Sequence, residues 1–200
     1  MKKIGLSFAT ILMSISLAFS QPVSDMGIIP IGVTLNSILR LNIVKGGNIE
    51  FVVNTVDQYT NGIANAPLYT TSFNVASSID FDVIMYADAA TLIGSDNQAH
   101  VMPLDNIGYV VAVAGGGVEG TAWDIPTIVS GTTAALTNVN TTTIIEGIDN
   151  AAAGDILKNA FDIQWELGTS NTNMNAASLL VQSLPADRYA VSVYLILQSN

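Results

Sequence analysis

From Leu39 onward, apolar residues recur most often at every second position, the period of a strand with one face on a core, rather than at the three-and-four spacing of a helix. The most regular run is "YAVSVYLILQSN", where Tyr189, Val191, Val193, Leu195 and Leu197 share one parity. "FDIQWELG" alternates Phe161, Ile163, Trp165 and Leu167 with Asp162, Gln164 and Glu166 and predicts a strand between core and solvent. Leu39, Leu41 and Ile43 alternate with Arg40 and Asn42. Turn residues Lys45-Gly46-Gly47-Asn48 follow, and the alternation resumes at Ile49, Phe51 and Val53, which predicts strand, turn, strand.

Between these runs the pattern varies. Residues 56–67 read as a loop around Asn61-Gly62. The stretch "YTTSFNVASSIDFDVIMYAD" predicts a second hairpin or a pair of neighbouring strands broken at Ser77-Ser78. Residues 89–108 read as a polar surface loop, "YVVAVAGGG" as a short strand, and 121–155 as short β-branched runs among Gly, Asn and Thr. "DNAAAGDILKNA" has room for one or two helical turns. Roughly nine or ten strands at this spacing, with no break in composition, predict an all-β protein: a single, mostly antiparallel, immunoglobulin-like or jelly-roll-like β-sandwich with long loops. An eight-stranded outer-membrane barrel would also alternate, but aromatic content is 7% and no aromatic girdles stand out.

The first residues follow a different logic. Lys2 and Lys3 precede an apolar run from Ile4 to Leu17 that closes on Ala18-Phe19-Ser20, the layout of a secretory signal peptide. Residues 1–20 are therefore expected to be removed, leaving 21–200 as the folded domain, exported to the extracellular space or cell surface and not spanning a membrane. Within it, residues 21–35 carry two prolines and then alternate Ile29, Ile31, Val33 and Leu35, the pattern of an extended arm. Such an arm either forms the first strand of its own sandwich or adds to an exposed strand of another molecule through main-chain hydrogen bonds. On the second reading the contact residues are Ile29, Ile31, Val33 and Leu35 from the arm and Tyr189, Val191, Val193 and Leu195 from the receiving strand.

Composition narrows the partners. Without the signal, four basic residues (Arg40, Lys45, Lys158, Arg188) face sixteen acidic ones, a net charge of −12 that excludes nucleic acid as a natural ligand. There is no cysteine, so an exported domain must hold together by burial and strand pairing alone. Charged residues make up 11% of the chain, less than half the usual share. Either Asn, Thr, Ser and Gly cover the surface, or other copies of the chain do.

Motifs for catalysis are lacking. His100 is the only histidine and reads as a solvated loop residue that cannot complete a zinc set. No serine sits in G-x-S-x-G, and the glycine-rich "AGGGVEG" lacks the Lys-Ser/Thr of a phosphate loop. Asp80 and Asp82 share a strand face that suits calcium, acid-base work or plain solvation. Trp165 reads as core. Trp123, between Gly120 and Pro126, reads as an exposed ring that, with Asp96 and Asp105, would form a glycan or small-ligand surface. No catalytic residue and no cofactor is expected.

Taken together, the signal peptide, the early strand, "GGNIEF", "FNVASSIDFDVIMYAD" and the run entered through "LPADRYAVSVYLIL" resemble the layout of secreted fimbrial, pilin-like and spore-coat-U-like β-sandwich proteins. Asp187 and Arg188 stand where those proteins have small or polar residues before the tyrosine, and their common disulfide has no counterpart here. The resemblance implies a noncatalytic subunit of a filament, fimbria or matrix that polymerises with itself by strand addition, with help from a periplasmic chaperone.

Overall fold

Each long strand pairs with a strand distant in sequence. In the structure, a computed structural model describing residues 29–126 and 131–200, the chain divides into two units, 1–35 and 36–200. The signal peptide and the first part of the expected arm lie outside the described residues. In the first unit, Ile29–Leu35 forms no helix or strand, and Ile29, Ile31, Val33 and Leu35 are 84, 87, 78 and 90% exposed.

The second unit is all-β. Its strands are β1 (Leu39–Lys45), β2 (Thr70–Ser77), β3 (Phe81–Ala87), β4 (Thr91–Gly94), β5 (Val101–Pro103), β6 (Ile107–Val113), β7 (Trp123–Asp124), β8 (Ala134–Ala135), β9 (Thr143–Gly147), β10 (Ala160–Leu167), β11 (Tyr189–Ala190) and β12 (Val193–Ser199). A five-stranded sheet runs β1-β2-β10-β6-β8, a four-stranded sheet β12-β3-β9-β7 and a small sheet β11-β4-β5, and the pairings between these strands are antiparallel. The sheets pack face to face and do not close into a barrel.

The inward positions are those the alternation marks. Phe73 and Val75 of β2, Phe161 and Ile163 of β10, Tyr109 and Val111 of β6, and Phe81, Val83 and Met85 of β3 are at most 2% exposed and form one core. Ring contacts tie the layers: Phe161 lies 5.3 Å from Phe73 and meets Trp123 edge-on at 4.9 Å. Trp165 of β10 is buried as expected, and its indole N–H donates to Thr71 Oγ1 at 2.9 Å.

Several expectations need correction. The run from β2 to β3 is neither a hairpin nor a neighbouring pair: the two strands belong to different sheets, and the chain crosses between them at Ser77–Ile79, where the Ser77 hydroxyl donates to the Ile79 carbonyl. Residues 89–108 hold the β4-β5 hairpin, because Leu92 and Met102 bury their side chains despite the polar residues between them. Residues 56–67 contain a short helix, α1 (Val56–Asn61), opened by a reciprocal cap in which Thr55 and Gln58 each bond the other's backbone N–H. At 149–160 a single turn forms, the Asn159 N–H donating to the Asp155 carbonyl at 3.1 Å, and no longer helix follows; Lys158 Nζ donates to the Ala151 and Ala153 carbonyls and Asn159 Nδ2 to that of Ala152, which fixes the loop before it.

Candidate functional site

The turn after β1 decides what the site is. Gly46 has φ +67°, and a side chain there would run into the Thr70 carbonyl, so only glycine serves. Beyond this tight point the chain does not double back on β1. Past a bend at Gly47–Asn48, residues 49–53 form no helix, strand or turn and alternate in burial, Ile49, Phe51 and Val53 half-buried against the core and Glu50 and Val52 exposed, the alternation the sequence predicts. The predicted pairing is missing: among the described residues, no main-chain hydrogen bond is made from Asn48 to Val53.

Facing this segment is the last alternating run. It was expected as one strand, but it serves two sheets: β11 pairs with β4, the chain then kinks at Val191-Ser192, and β12 pairs with β3 from Val193↔Ala87 to Ser199↔Phe81. Its inward residues Tyr189, Val191, Val193, Leu195 and Leu197 are only half-buried, whereas their neighbours on β3 are sealed. Both β1 and β12 are edge strands of their sheets, and the space between the sheets is open along this flank.

Two connected grooves fill that opening. One, of about 480 Å³, is walled by Gly46–Ile49 and Val191–Leu195 over a floor of Ile107, Ile163 and Trp165. The other, of about 450 Å³, is walled by Asn48–Val53 and Leu184–Val191 over Met102, Leu167 and Leu179. Ile49, Phe51 and Val191 line both, so the grooves make one trench. Its two walls run in opposite directions, residue 46 lying toward 195 and residue 53 toward 184.

The walls are held in different ways. On the 184–191 side, Asp187 takes hydrogen bonds from the backbone N–H of Asp96 (2.9 Å), Asn97 (3.1 Å) and Arg188 (2.7 Å) and lies 2.9 Å from His100 Nδ1. These bonds, led by the Asp96 N–H, favour the carboxylate and hold Asp187 down at about 2, below the usual aspartate range. Tyr189 donates its hydroxyl to the Pro185 carbonyl at 2.7 Å, and burial raises its phenol above the ordinary value, with the Asp187 charge adding to the effect. Along the facing wall the described contacts are made by side chains: Phe51 stacks on Tyr69 at 4.4 Å, and Glu50 reaches across to Arg188 Nε at 3.2 Å. Both members of that ion pair are more than half exposed.

The other expected site residues fare differently. Tyr189, Val191, Val193 and Leu195 are brought together along the trench. Trp123 is not an exposed ring: it is fully buried under Gly117, with its indole N–H donating to Asn159 Oδ1 at 3.0 Å. Gly117 packs against the indole, whereas Gly120, at φ +76°, has open space around it. Asp96 and Asp105 are held by separate contacts, Asp96 through its N–H to Asp187 and Asp105 through its carboxylate to Asn175 Nδ2. His100 is not a free loop histidine but a half-buried partner of Asp187. Asp80 and Asp82 turn their carboxylates onto backbone N–H groups, Asp80 onto Asn150 and Ala152, Asp82 onto Gly147.

Sequence reasoning missed the Asn48–Val53 wall, the Glu50–Arg188 bridge and the Asp187 anchor. The departure of Asp187 and Arg188 from the resembled pattern is the signal that points to the last two. No protein-family profile matches the chain, and no curated protein matches it.

Proposed function

We propose that the protein is an exported, noncatalytic structural subunit that polymerises into a surface filament or matrix by strand addition, the arm of one copy seating in the trench of the next. One observation carries this reading: among the described residues a strand-long trench lies along the β1–β12 flank, its mixed lining carrying Ile49, Phe51, Leu184 and Val191 beside polar groups.

The arm suits the trench in length and period. Ile29 to Leu35 spans about 20 Å when extended, close to the length of the Gly47–Val53 wall, and presents four apolar side chains at alternate positions. Burying four such side chains contributes on the order of 6–12 kcal/mol, about what ordering seven residues costs. The margin for assembly must then come from new ladder hydrogen bonds and from covering the half-buried wall. A contact between unlike surfaces of identical copies propagates instead of closing, which is how a filament grows.

The test is polymerisation of the purified mature protein. Sedimentable, detergent-resistant polymers visible by electron microscopy are expected, and deletion of Gln21–Val33 should abolish them while circular dichroism still reports a folded β-protein. Monomers from the intact chain at high concentration would end the reading.

A further inference from the structure

Extended backbone rich in Ile, Phe and Val normally lies in a ladder, since those side chains favour strands and unpaired backbone groups are costly once water is excluded. "NIEFVV" is such a segment, and it stands without a ladder. It is nonetheless fixed in place. Gly46 locks one end; at the other, the Asn54 and Thr55 N–H groups donate to Gln58 Oε1 at the start of α1, at 2.7 and 3.1 Å. Between them Ile49, Phe51 and Val53 rest on the core while, among the described residues, the main chain makes no backbone hydrogen bond. Where a local preference is satisfied in every respect but one, the missing element points to function.

On the footing of the polymer reading above, we propose that Asn48–Val53 is a latent β-strand, the wall that takes up the main chain of the incoming Ile29–Leu35 arm of a second copy. The opposite wall is already committed through β11 to β4 and through β12 to β3, each with one edge used. Among the described residues Asn48–Val53 has neither edge paired, so it gains most from a new neighbour. The arm supplies the complement: alternating exposed apolar residues whose inward set meets Ile49, Phe51 and Val53. Its outward positions Gly32 and Thr34 then lie beside Glu50 and Val52. The Glu50–Arg188 bridge spans the mouth of the trench and sets the spacing of the walls before the arm enters.

Two measurements test this on the full-length mature chain. In hydrogen exchange, the amides of Asn48–Val53 exchange freely in the monomer and slow by at least roughly 100-fold in the polymer, as newly laddered amides do. Because the chain has no cysteine, cross-linking adds a clean second readout. A mixture of Gly32→Cys and Val52→Cys chains should form disulfide-linked pairs on oxidation, and a mixture of Gly32→Cys and Val139→Cys should not, Val139 being equally exposed but away from the trench walls. If Gly32→Cys impairs assembly, Thr34→Cys replaces it. Polymers in which 48–53 still exchanges at the monomer rate and neither arm position cross-links to Val52 overturn the latent strand and leave the filament reading intact. Failure of the unmodified chain to polymerise overturns both.

Discussion

Phe161 and Leu195 both point into the space between the sheets, yet Phe161 is fully buried and Leu195 only half so. Around Phe161 the loops finish the job: the N–H groups of Gly116 and Gly117 bond the Leu157 and Lys158 carbonyls, Trp123 lies beneath, and Asn159 satisfies the indole. Around Leu195 no described residue closes over in the same way, and a trench lies between the edge strands β1 and β12. The two regions use the same residue types in the same period. What separates them is whether the described chain supplies its own cover, and half-burial along a regular strand records where it does not.

Substitutions sharpen this contrast, beginning where the effect is largest. Phe161→Ala should cost about 3–5 kcal/mol of stability in monomer and polymer alike, whereas Leu195→Ala should cost only about 1–2 kcal/mol in the monomer because less surface returns to water. In the polymer Leu195→Ala should weaken assembly strongly. Urea unfolding of each variant in both states checks this, and equal monomer losses for the two substitutions would erase the distinction between the regions.

Next comes the anchored wall. Asp187 is held below its ordinary value of 3.8, so the stability it confers is complete above that value and is lost as pH falls through about 2. Asp187→Asn should lower stability at neutral pH and flatten the acid limb of the stability curve between those limits. An acid limb with the same slope as the parent would show that the four hydrogen bonds at Asp187 do not fix this wall.

The smallest effect belongs to the bridge between the walls. Glu50→Gln or Arg188→Gln should change monomer stability by no more than about 0.5–1 kcal/mol, since both groups are well exposed. The difference from the parent should shrink at about 1 M salt, where screening reaches within a few ångströms. A loss that persists at high salt would mean the pair acts through packing and not charge.

The fold was legible wherever a strand had one sealed and one wet face. The alternation at Phe161–Leu167 and Phe81–Met85 reports the inward faces directly, and both runs are strands, but Glu166, expected on the wet face, is buried and accepts from Asn171 Nδ2. Partnership was not legible, because period two says which side of a strand is buried and is silent on its neighbour. That is why Ile49, Phe51 and Val53 were placed on the right face but assigned a ladder they lack, and why β2 and β3 read as neighbours. The helix α1 was missed although Thr55-x-x-Gln58 spells its cap, since turn residues at Asn61-Gly62 dominate a six-residue element. Trp123 misled for a related reason: glycines beside an aromatic ring signal close approach as readily as a loose turn, and here Gly117 lies against the indole.

The order in which strands find one another has a temporal consequence. β3 receives β12 from more than a hundred residues downstream, and β2 receives β10 from nearly as far. Closing such distant pairs is entropically demanding before any reward arrives, so domains with this topology fold in milliseconds to seconds, not microseconds. Through that interval the apolar faces of β2 and β3 wait uncovered while sticky segments of sibling chains drift nearby. Rapid crowding of newly made copies is therefore a hazard to correct folding, and dilution or delayed release during refolding should raise the yield.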